Sequence, residues 1–405
     1  MSTITLKELQ KSGILLPQEE MLEIANRSTS LLIGIPKESS FQENRVPLVP
    51  SAVALLSSFG HRVMIETEAG KNANFQDKDY SEAGAQIVYS KEEIYKADIV
   101  IKVSPPTEEE IEMVKAKQVL FSAVQLSTQY GNVIRKLAQK KATAIAFNYL
   151  KDELGQYPVV RSMGEIAGNT AILIAAEYLS NENDGKGIML GGVTGIPSVE
   201  VVIIGAGIVG ESAARAALGL GAEVKVFDVS VSRLSRLKNM VNHHGLFTSL
   251  IQQDELAYRL SQADVVIGAL RAPAGRTPCV VTDTMVSEMK FGSVIVDVSI
   301  DQGGCFETSK VTDHKNPVYK KYGVTHYCVP NIPSRVAHTA SIALSNIFAP
   351  IFINIGEEGG LEKSMHKFAY MRSGVYLYNG ILTNKFFGEM YNIPYKDLDL
   401  LMAAW

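Results

Sequence analysis

Cysteine is scarce, with three residues in 405, at Cys279, Cys305 and Cys328. They form no C-x-x-C pair, and three thiols are too few for a disulfide framework or a cysteine zinc site, so we expect reduced thiols and no metal. Tryptophan is rarer still: Trp405 stands alone and reads, with Tyr376 and Tyr378, as a packing or interface residue. No run of basic residues stands out from Lys+Arg 39 against Asp+Glu 43, so nucleic-acid binding has no electrostatic footprint. Long apolar runs are also missing. The most apolar stretch, 340–355, is broken by Ser341, Ser345, Asn346, Pro350 and Asn354 and reads as a buried helix. It falls short of the roughly 20 residues of a membrane span. The N-terminal region carries charges throughout, and its apolar stretch 13–16 is too short for the core of an export signal. With reduced thiols, no membrane partner and no export signal, a cytoplasmic protein is expected.

What is present is an ordinary globular composition, 46% apolar and 20% charged, in a chain long enough for two domains. Residues 1–30 read as a helical N-terminal extension without chemistry. From residue 31 short apolar strands alternate with helices: 31–35, 62–66, around Val88, 98–103, 119–124 and 142–147. Strands separated by single helices predict a parallel sheet covered on both faces. A long apolar helix spans about 163–179. A second series follows, with six predicted strands at 199–204, 224–227, 247–251, 264–270, 293–298 and 325–329, as in a doubly wound dinucleotide fold. The tail is mostly helical and can cross back to the first series. The expected fold class is therefore α/β with two doubly wound domains: a discontinuous one of 31–158 plus 338–405, and a central one of 159–337.

The strongest motif is V-E-V-V-I-I-G-A-G-I-V-G, beginning at Val199. Gly205, Gly207 and Gly210 give G-x-G-x-x-G directly after a buried strand and at the start of a helix, with Ile208 and Val209 in its first turn. The first glycine permits the tight turn, the second lets a pyrophosphate approach the backbone, and the third lets helix and strand pack closely. The helix N-terminus offers N–H groups and a positive dipole end to phosphate. Asp228 ends the next strand, where a carboxylate accepts a ribose hydroxyl and repels a 2′-phosphate. That favours NAD as cofactor, with Arg233 close enough in sequence to soften the preference.

Other motifs extend the pattern: IGIPKE at 33–38, ENRVPLVP at 43–50, DIVIKVSPP at 98–106, MLGGVTGIP at 189–197, VIGAL at 266–270, VIVDVSIDQGGCFE at 294–307 and YCVPNIPSRV at 327–336. Over about residues 31–384 the chain resembles the alanine dehydrogenase family, which includes the nicotinamide nucleotide transhydrogenase α subunit. The Asp301-Gln302-Gly303-Gly304-Cys305 block resembles the dehydrogenases, whereas Pro333-Ser334-Arg335 is transhydrogenase-like. The resemblance implies a substrate domain and an NAD domain with a cleft between them, and homo-oligomers that are commonly hexamers. It implies NAD-dependent, reversible oxidative deamination of L-alanine to pyruvate and ammonia. It also implies that Leu270, Arg271, Val298, Ile300, Asp301, Val329 and Asn331 line the cofactor.

A small 2-oxo acid needs a cation with fixed geometry for its carboxylate, and arginine supplies it. Arg45 is that residue in the family pattern; taken alone it would read as a surface partner of Glu38 or Glu43. Lys102 lies in the apolar segment 99–103, where a lysine is costly unless paired or functional. It is expected to polarise the substrate carbonyl, the alternative being a stem that snorkels at a strand end. Asp301 is expected on the nicotinamide side, with Asp297 as its competitor. The family's acid/base histidine falls where this chain has Gln125, which can orient a group but does not exchange protons near neutral pH. Lys102, Asp301 and His338 are the candidates for that task. Gly164, where the family more often has serine, and Arg271, where an apolar residue is usual, are further departures. Arg271 would serve a cofactor phosphate or a second substrate carboxylate. His243 and His244 lack metal-ligand company, and Cys305 lacks a histidine partner. The rival readings are transhydrogenase-like hydride transfer with a partner protein, a dehydrogenase for a different 2-oxo acid, and an NAD-binding protein without turnover.

Overall fold

A computed structural model of the chain describes residues 28–40, 42–124, 130–272 and 276–403. The expected helical extension, Gln125 and Trp405 lie outside the described residues, apart from positions 28–30. The chain first builds β1 (Leu32–Ile35), β2 (Arg62–Glu66), β3 (Gln86–Val88), β4 (Ile99–Ile101), β5 (Val119–Ser122) and β6 (Thr143–Ala146). It then builds β7 (Glu200–Ile204), β8 (Glu223–Asp228), β9 (Leu246–Leu250), β10 (Val265–Gly268), β11 (Val294–Asp297), β12 (Val318–Lys321) and β13 (Val324–Tyr327). It ends with β14 (Val375–Tyr378) and β15 (Ile381–Leu382). Two compact units result. Of the described residues, unit 1 holds those within 28–37, 46–157 and 344–403, and unit 2 those within 38–45 and 158–343.

Unit 1 is an eight-stranded sheet in the order β15-β14-β6-β5-β4-β1-β2-β3, parallel from β3 to β6 and antiparallel at β14 and β15. Unit 2 is a seven-stranded sheet in the order β12-β13-β11-β10-β7-β8-β9. The six parallel strands of each unit run in the doubly wound order 3-2-1-4-5-6, which reverses direction between the first and fourth strands. The sequence pattern predicts six strands in unit 2; the seventh, β12, pairs antiparallel with β13 at the sheet edge.

The apolar runs become strands because both faces of each sheet are covered. In unit 2, Val201, Ile203, Val224, Val226, Val265, Ile267, Val294 and Val296 face one core. The intervening Val202, Ile204, Phe227, Val266 and Ile295 face the other. That two-residue alternation turns an unbroken apolar run into two packed layers. Burying each such side chain contributes roughly 1.5–3 kcal/mol. The helix Pro158–Leu179 starts earlier than its apolar part predicts, with Pro158 in its first turn. It packs against the helix Ile208–Gly219 through Gly168, where a Cβ would strike the Val209 carbonyl and come within 2.8 Å of Ser212 Cβ.

Ala337–Glu357 forms one helix. It is long and apolar enough to cross a membrane by composition. Leu344, Phe348, Phe352 and Ile355 are nevertheless buried along one stripe. Phe348 packs on Phe147 at 5.1 Å and Phe352 on Phe121 at 5.2 Å, as core residues of unit 1. Two boundaries differ from the expected ones. Unit 2 runs on to residue 343, within this helix, and it takes in 38–45, which the sequence pattern places with the first series. The physical reason for the second difference is that Asn44 donates to Ser334, 290 residues further on, and Glu43 accepts from Asn331, 288 residues further on.

Candidate active site

β7 delivers the chain into the glycine turn, and each glycine is required for a different reason. Gly205 has φ +119°, and a Cβ on it would collide with the Ala269 carbonyl. Gly210 lies against the Gly205 carbonyl oxygen with no room for a side chain. Gly207, the residue before the helix Ile208–Gly219, has nothing within 4 Å of a built Cβ, so the turn is open on that side. Ile208 and Val209 are half-buried in the first turn, whose N–H groups have no intrahelical acceptor. The cradle therefore fits a pyrophosphate. Gly164, the departure on the helix Pro158–Leu179, faces it: a Cβ there would stand 3.2 Å from Ile208 Cγ2.

Asp228 ends β8 and is buried. Its Oδ2 accepts the Ala206 N–H at 2.7 Å and its Oδ1 accepts the Ser230 N–H at 2.8 Å, so it clamps the turn. Each oxygen keeps a second acceptor position, enough for ribose hydroxyls. Arg233 is exposed, with Nη1 3.9 Å from Asp228 Oδ2. Arg236, one helical turn on, donates to the Ala206 carbonyl at 3.5 Å. Sequence reading passed over Arg236, although the i, i+3 spacing from Arg233 puts both on one helix face.

A second cluster in unit 2 gathers Arg45, Glu43, Asn331 and Asp301. Glu43 takes Arg45 side-on: Nε donates to Oε1 at 2.7 Å and Nη2 to Oε2 at 2.6 Å. Only 7% of Glu43 is exposed, so this is a buried pair and not the surface pair that Arg45 alone would suggest. Desolvation works against both charges. The partner's charge and hydrogen bonds outweigh it, holding the Glu43 carboxyl below the usual range and the Arg45 guanidinium above. Arg45 Nη1 lies 3.4 Å from Met163 Sδ. Asn331 joins this pair to Asp301. Its Nδ2 donates to Glu43 Oε2 at 3.0 Å and its backbone N–H to Asp301 Oδ1 at 3.1 Å. Asn331 adopts φ +59°, a left-handed conformation that asparagine tolerates.

Asp301 sits in the 3-10 turn Val298–Gln302 after β11, with Val298 half-buried and Ile300 buried beside it. Its side chain is solvent-accessible yet hemmed in by protein. Desolvation pushes its carboxyl up, opposed by the Asn331 N–H and the charges of Arg45 and Arg271. Asp297, its competitor, is sealed off. It accepts the N–H groups of Ser299 and Cys305 and the Ser309 hydroxyl, and burial raises it to about 6. Leu270 is half-buried and Arg271 exposed after β10; Val329 is buried in the core after β13.

Lys102 belongs to unit 1, one residue beyond the end of β4 and not inside the strand. It is wholly buried. Its Nζ donates to Glu110 Oε2 at 2.7 Å, and Lys91 meets the other oxygen at 3.1 Å. Glu110 is fixed in turn by a capping box with Thr107 at the start of the helix Glu108–Met113. The T-x-x-E spacing carried that signal, which sequence reading did not use. His338 is exposed at the start of the helix Ala337–Glu357. The Cys305 thiol is buried and pushed well above its ordinary value by desolvation, which suits an inert thiol. His243 and His244 stack on each other at 4.4 Å. Among the described residues no group of three or more His, Cys, Asp or Glu is arranged to hold a metal ion.

A 3-2-1-4-5-6 parallel sheet, an open glycine turn at its reversal point and an acidic residue ending the next strand define a dinucleotide-binding α/β protein. The family follows from comparison with known proteins. The model for the alanine dehydrogenase/PNT N-terminal domain matches residues 34–167 and that for the C-terminal domain 171–385. An alanine dehydrogenase of Staphylococcus epidermidis is 40% identical over 370 residues, 91% of this chain and 98% of the relative. Alanine dehydrogenase 2 of Staphylococcus aureus is 39% identical over 368 residues, 91% of this chain and 98% of the relative. A solved L-alanine dehydrogenase superposes with TM-score 0.84 at 36% identity, covering 89% of this chain and 99% of the other. A transhydrogenase from Sinorhizobium meliloti superposes with TM-score 0.74 at 25% identity, covering 87% and 99%. The chain belongs to the alanine dehydrogenase/PNT family.

Proposed function

We propose that this protein is an NAD-dependent L-alanine dehydrogenase, catalysing L-alanine + NAD⁺ + water ⇌ pyruvate + ammonium + NADH + H⁺. The observation that carries the reading is the buried, side-on Glu43–Arg45 pair tied through Asn331 to Asp301, in the same unit as the open glycine turn. Gly205, Gly207, Ile208, Val209 and Gly210 hold the pyrophosphate, and Asp228 the adenosine ribose. Leu270, Arg271, Val298, Ile300 and Asn331 line the cofactor, Arg233 flanks its adenosine end, and the core residue Val329 contributes through its backbone. Bound there, NAD supplies the hydride acceptor and NADH the donor.

The protein's own groups do the rest. Glu43 occupies one edge of the Arg45 guanidinium, leaving the remaining N–H donors for the substrate carboxylate. Lys102, paired with Glu110, polarises the carbonyl or imine, and Gln125 orients it. Asp301 exchanges the proton in place of the absent histidine, because it is accessible and desolvation raises its carboxyl above the ordinary carboxylate value. The working protein is a cytoplasmic homo-oligomer, hexameric as in the family pattern. The test is NADH oxidation with ammonium and a panel of 2-oxo acids, including a dicarboxylic one that Arg271 could favour. Pyruvate should give the highest kcat/KM, and Lys102→Ala should abolish turnover. No turnover with any 2-oxo acid would refute the reading.

A further inference from the structure

The chain leaves unit 1 after Lys37 and returns to it at Val46, and the residues between pack as part of unit 2. This strap carries Arg45. Its fastening centres on Ser334, in the 3-10 turn Ile332–Val336, whose side chain is buried. The Ser334 hydroxyl accepts the Asn44 N–H at 2.8 Å and donates to the Gln42 carbonyl at 2.7 Å. The Ser334 carbonyl accepts Asn44 Nδ2 at 3.4 Å. Asn331, in the same segment, holds Glu43. Residues 42, 43 and 44 are thus each gripped by 331–334, directly before Arg45. A hydroxyl is suited to this place because it donates to one backbone group and accepts from another, bridging two peptide units of the strap at once.

We propose that Ser334 is a positioning residue: it fastens the 38–45 strap to unit 2, so that the Arg45 guanidinium stands at a fixed place relative to Asp301. This gives the transhydrogenase-like Pro-Ser-Arg motif a task that its neighbours in sequence do not reveal. The inference rests on the reading that Arg45 receives the substrate carboxylate. Ser334 itself touches neither substrate nor cofactor.

The test compares wild type, Ser334→Ala, Arg45→Lys and the double variant as full-length proteins. Amide hydrogen exchange is read for residues 38–49, and the dissociation constants of NADH and of oxamate, a non-reducible isostere of pyruvate, are measured. In Ser334→Ala, exchange in the strap should accelerate and oxamate bind roughly tenfold more weakly, about the worth of one hydrogen bond. KM for pyruvate should rise more than kcat falls, with NADH affinity unchanged. In the Arg45→Lys background the alanine substitution should make no further difference, because both changes act on one interaction. Unchanged exchange in the strap would overturn the proposal. So would faster exchange with unchanged oxamate affinity, or equal losses of oxamate and NADH binding, which mark general loosening of unit 2. If wild type binds neither oxamate nor any 2-oxo acid, the reading of Arg45 fails and the positioning role falls with it, whereas the exchange measurement still shows whether the strap is tied.

Discussion

Lys102 and Glu110 show what a buried charge demands of its neighbours. Neither side chain has appreciable exposure, and their contact at 2.7 Å is supplemented by Lys91 and by the Thr107 N–H. Desolvation opposes the Glu110 charge, but the two lysines and the backbone donor overcome it and hold the carboxyl below its ordinary range. Removing one partner leaves the other buried without compensation, which costs roughly 3–5 kcal/mol. Glu110→Ala should therefore lower the urea midpoint strongly. Replacing both partners by apolar residues, Lys102→Met with Glu110→Leu, should restore most of the stability and none of the activity. A single variant no less stable than wild type would show that the pair is solvated in solution. A capping box at 107–110 was readable as the start of a helix. That its glutamate turns back on a lysine eight positions earlier depends on β4 and the helix Glu108–Met113 meeting in space.

At the level of elements, β13 carries a second buried titratable group, His326, between β11 and β12. Its Nδ1 lies 3.0 Å from the Val324 carbonyl and its Nε2 2.9 Å from the Thr308 hydroxyl. The ring stacks on Tyr319 at 4.9 Å. This arrangement suits the neutral tautomer, in which Nδ1–H donates and Nε2 accepts. Desolvation accordingly lowers the histidine from 6.5 to about 4. Between those values the unfolded chain binds a proton that the folded chain does not. The stabilisation is complete above about pH 6.5 and is lost as pH falls towards 4, on the order of 3 kcal/mol across the window. His326→Asn should flatten that part of the stability profile, measured as urea midpoints at pH 7 and pH 4.5. An acid sensitivity identical to wild type would locate the effect elsewhere. The strands themselves were legible because their demands are local. An apolar run with a two-residue alternation of burial is written in consecutive letters, as are the three glycines after Ile204. β12 was not legible, since its sequence Val-Tyr-Lys-Lys is only half apolar and its strand character comes from pairing with β13 at the sheet edge.

At the scale of the whole molecule, legibility declines with sequence separation. Asp228 stands 18 residues from Gly210 and could be assigned to the ribose from spacing alone. The link from Asn331 to Glu43 spans 288 residues, and nothing near either residue announces it. For the same reason segment 38–45 reads as part of the first series of strands although it packs in unit 2. The two units have separate cores: Val201, Ile203 and their neighbours in unit 2, and Val100, Leu120, Ile134 and Leu377 in unit 1. A ligand held by the glycine turn therefore acts first on the stability of unit 2. NADH at 100 times its dissociation constant stabilises the state that binds it by about 2.7 kcal/mol. Segment-resolved hydrogen exchange with saturating NADH should slow β7, β8 and the helix Ile208–Gly219, and the thermal midpoint should rise with NADH concentration. Asp228→Ala should remove most of that shift, because it takes away both the ribose acceptor and the clamp on the Ala206 N–H. NADH that raised the midpoint equally in Asp228→Ala would place the nucleotide somewhere other than the turn at 205–210.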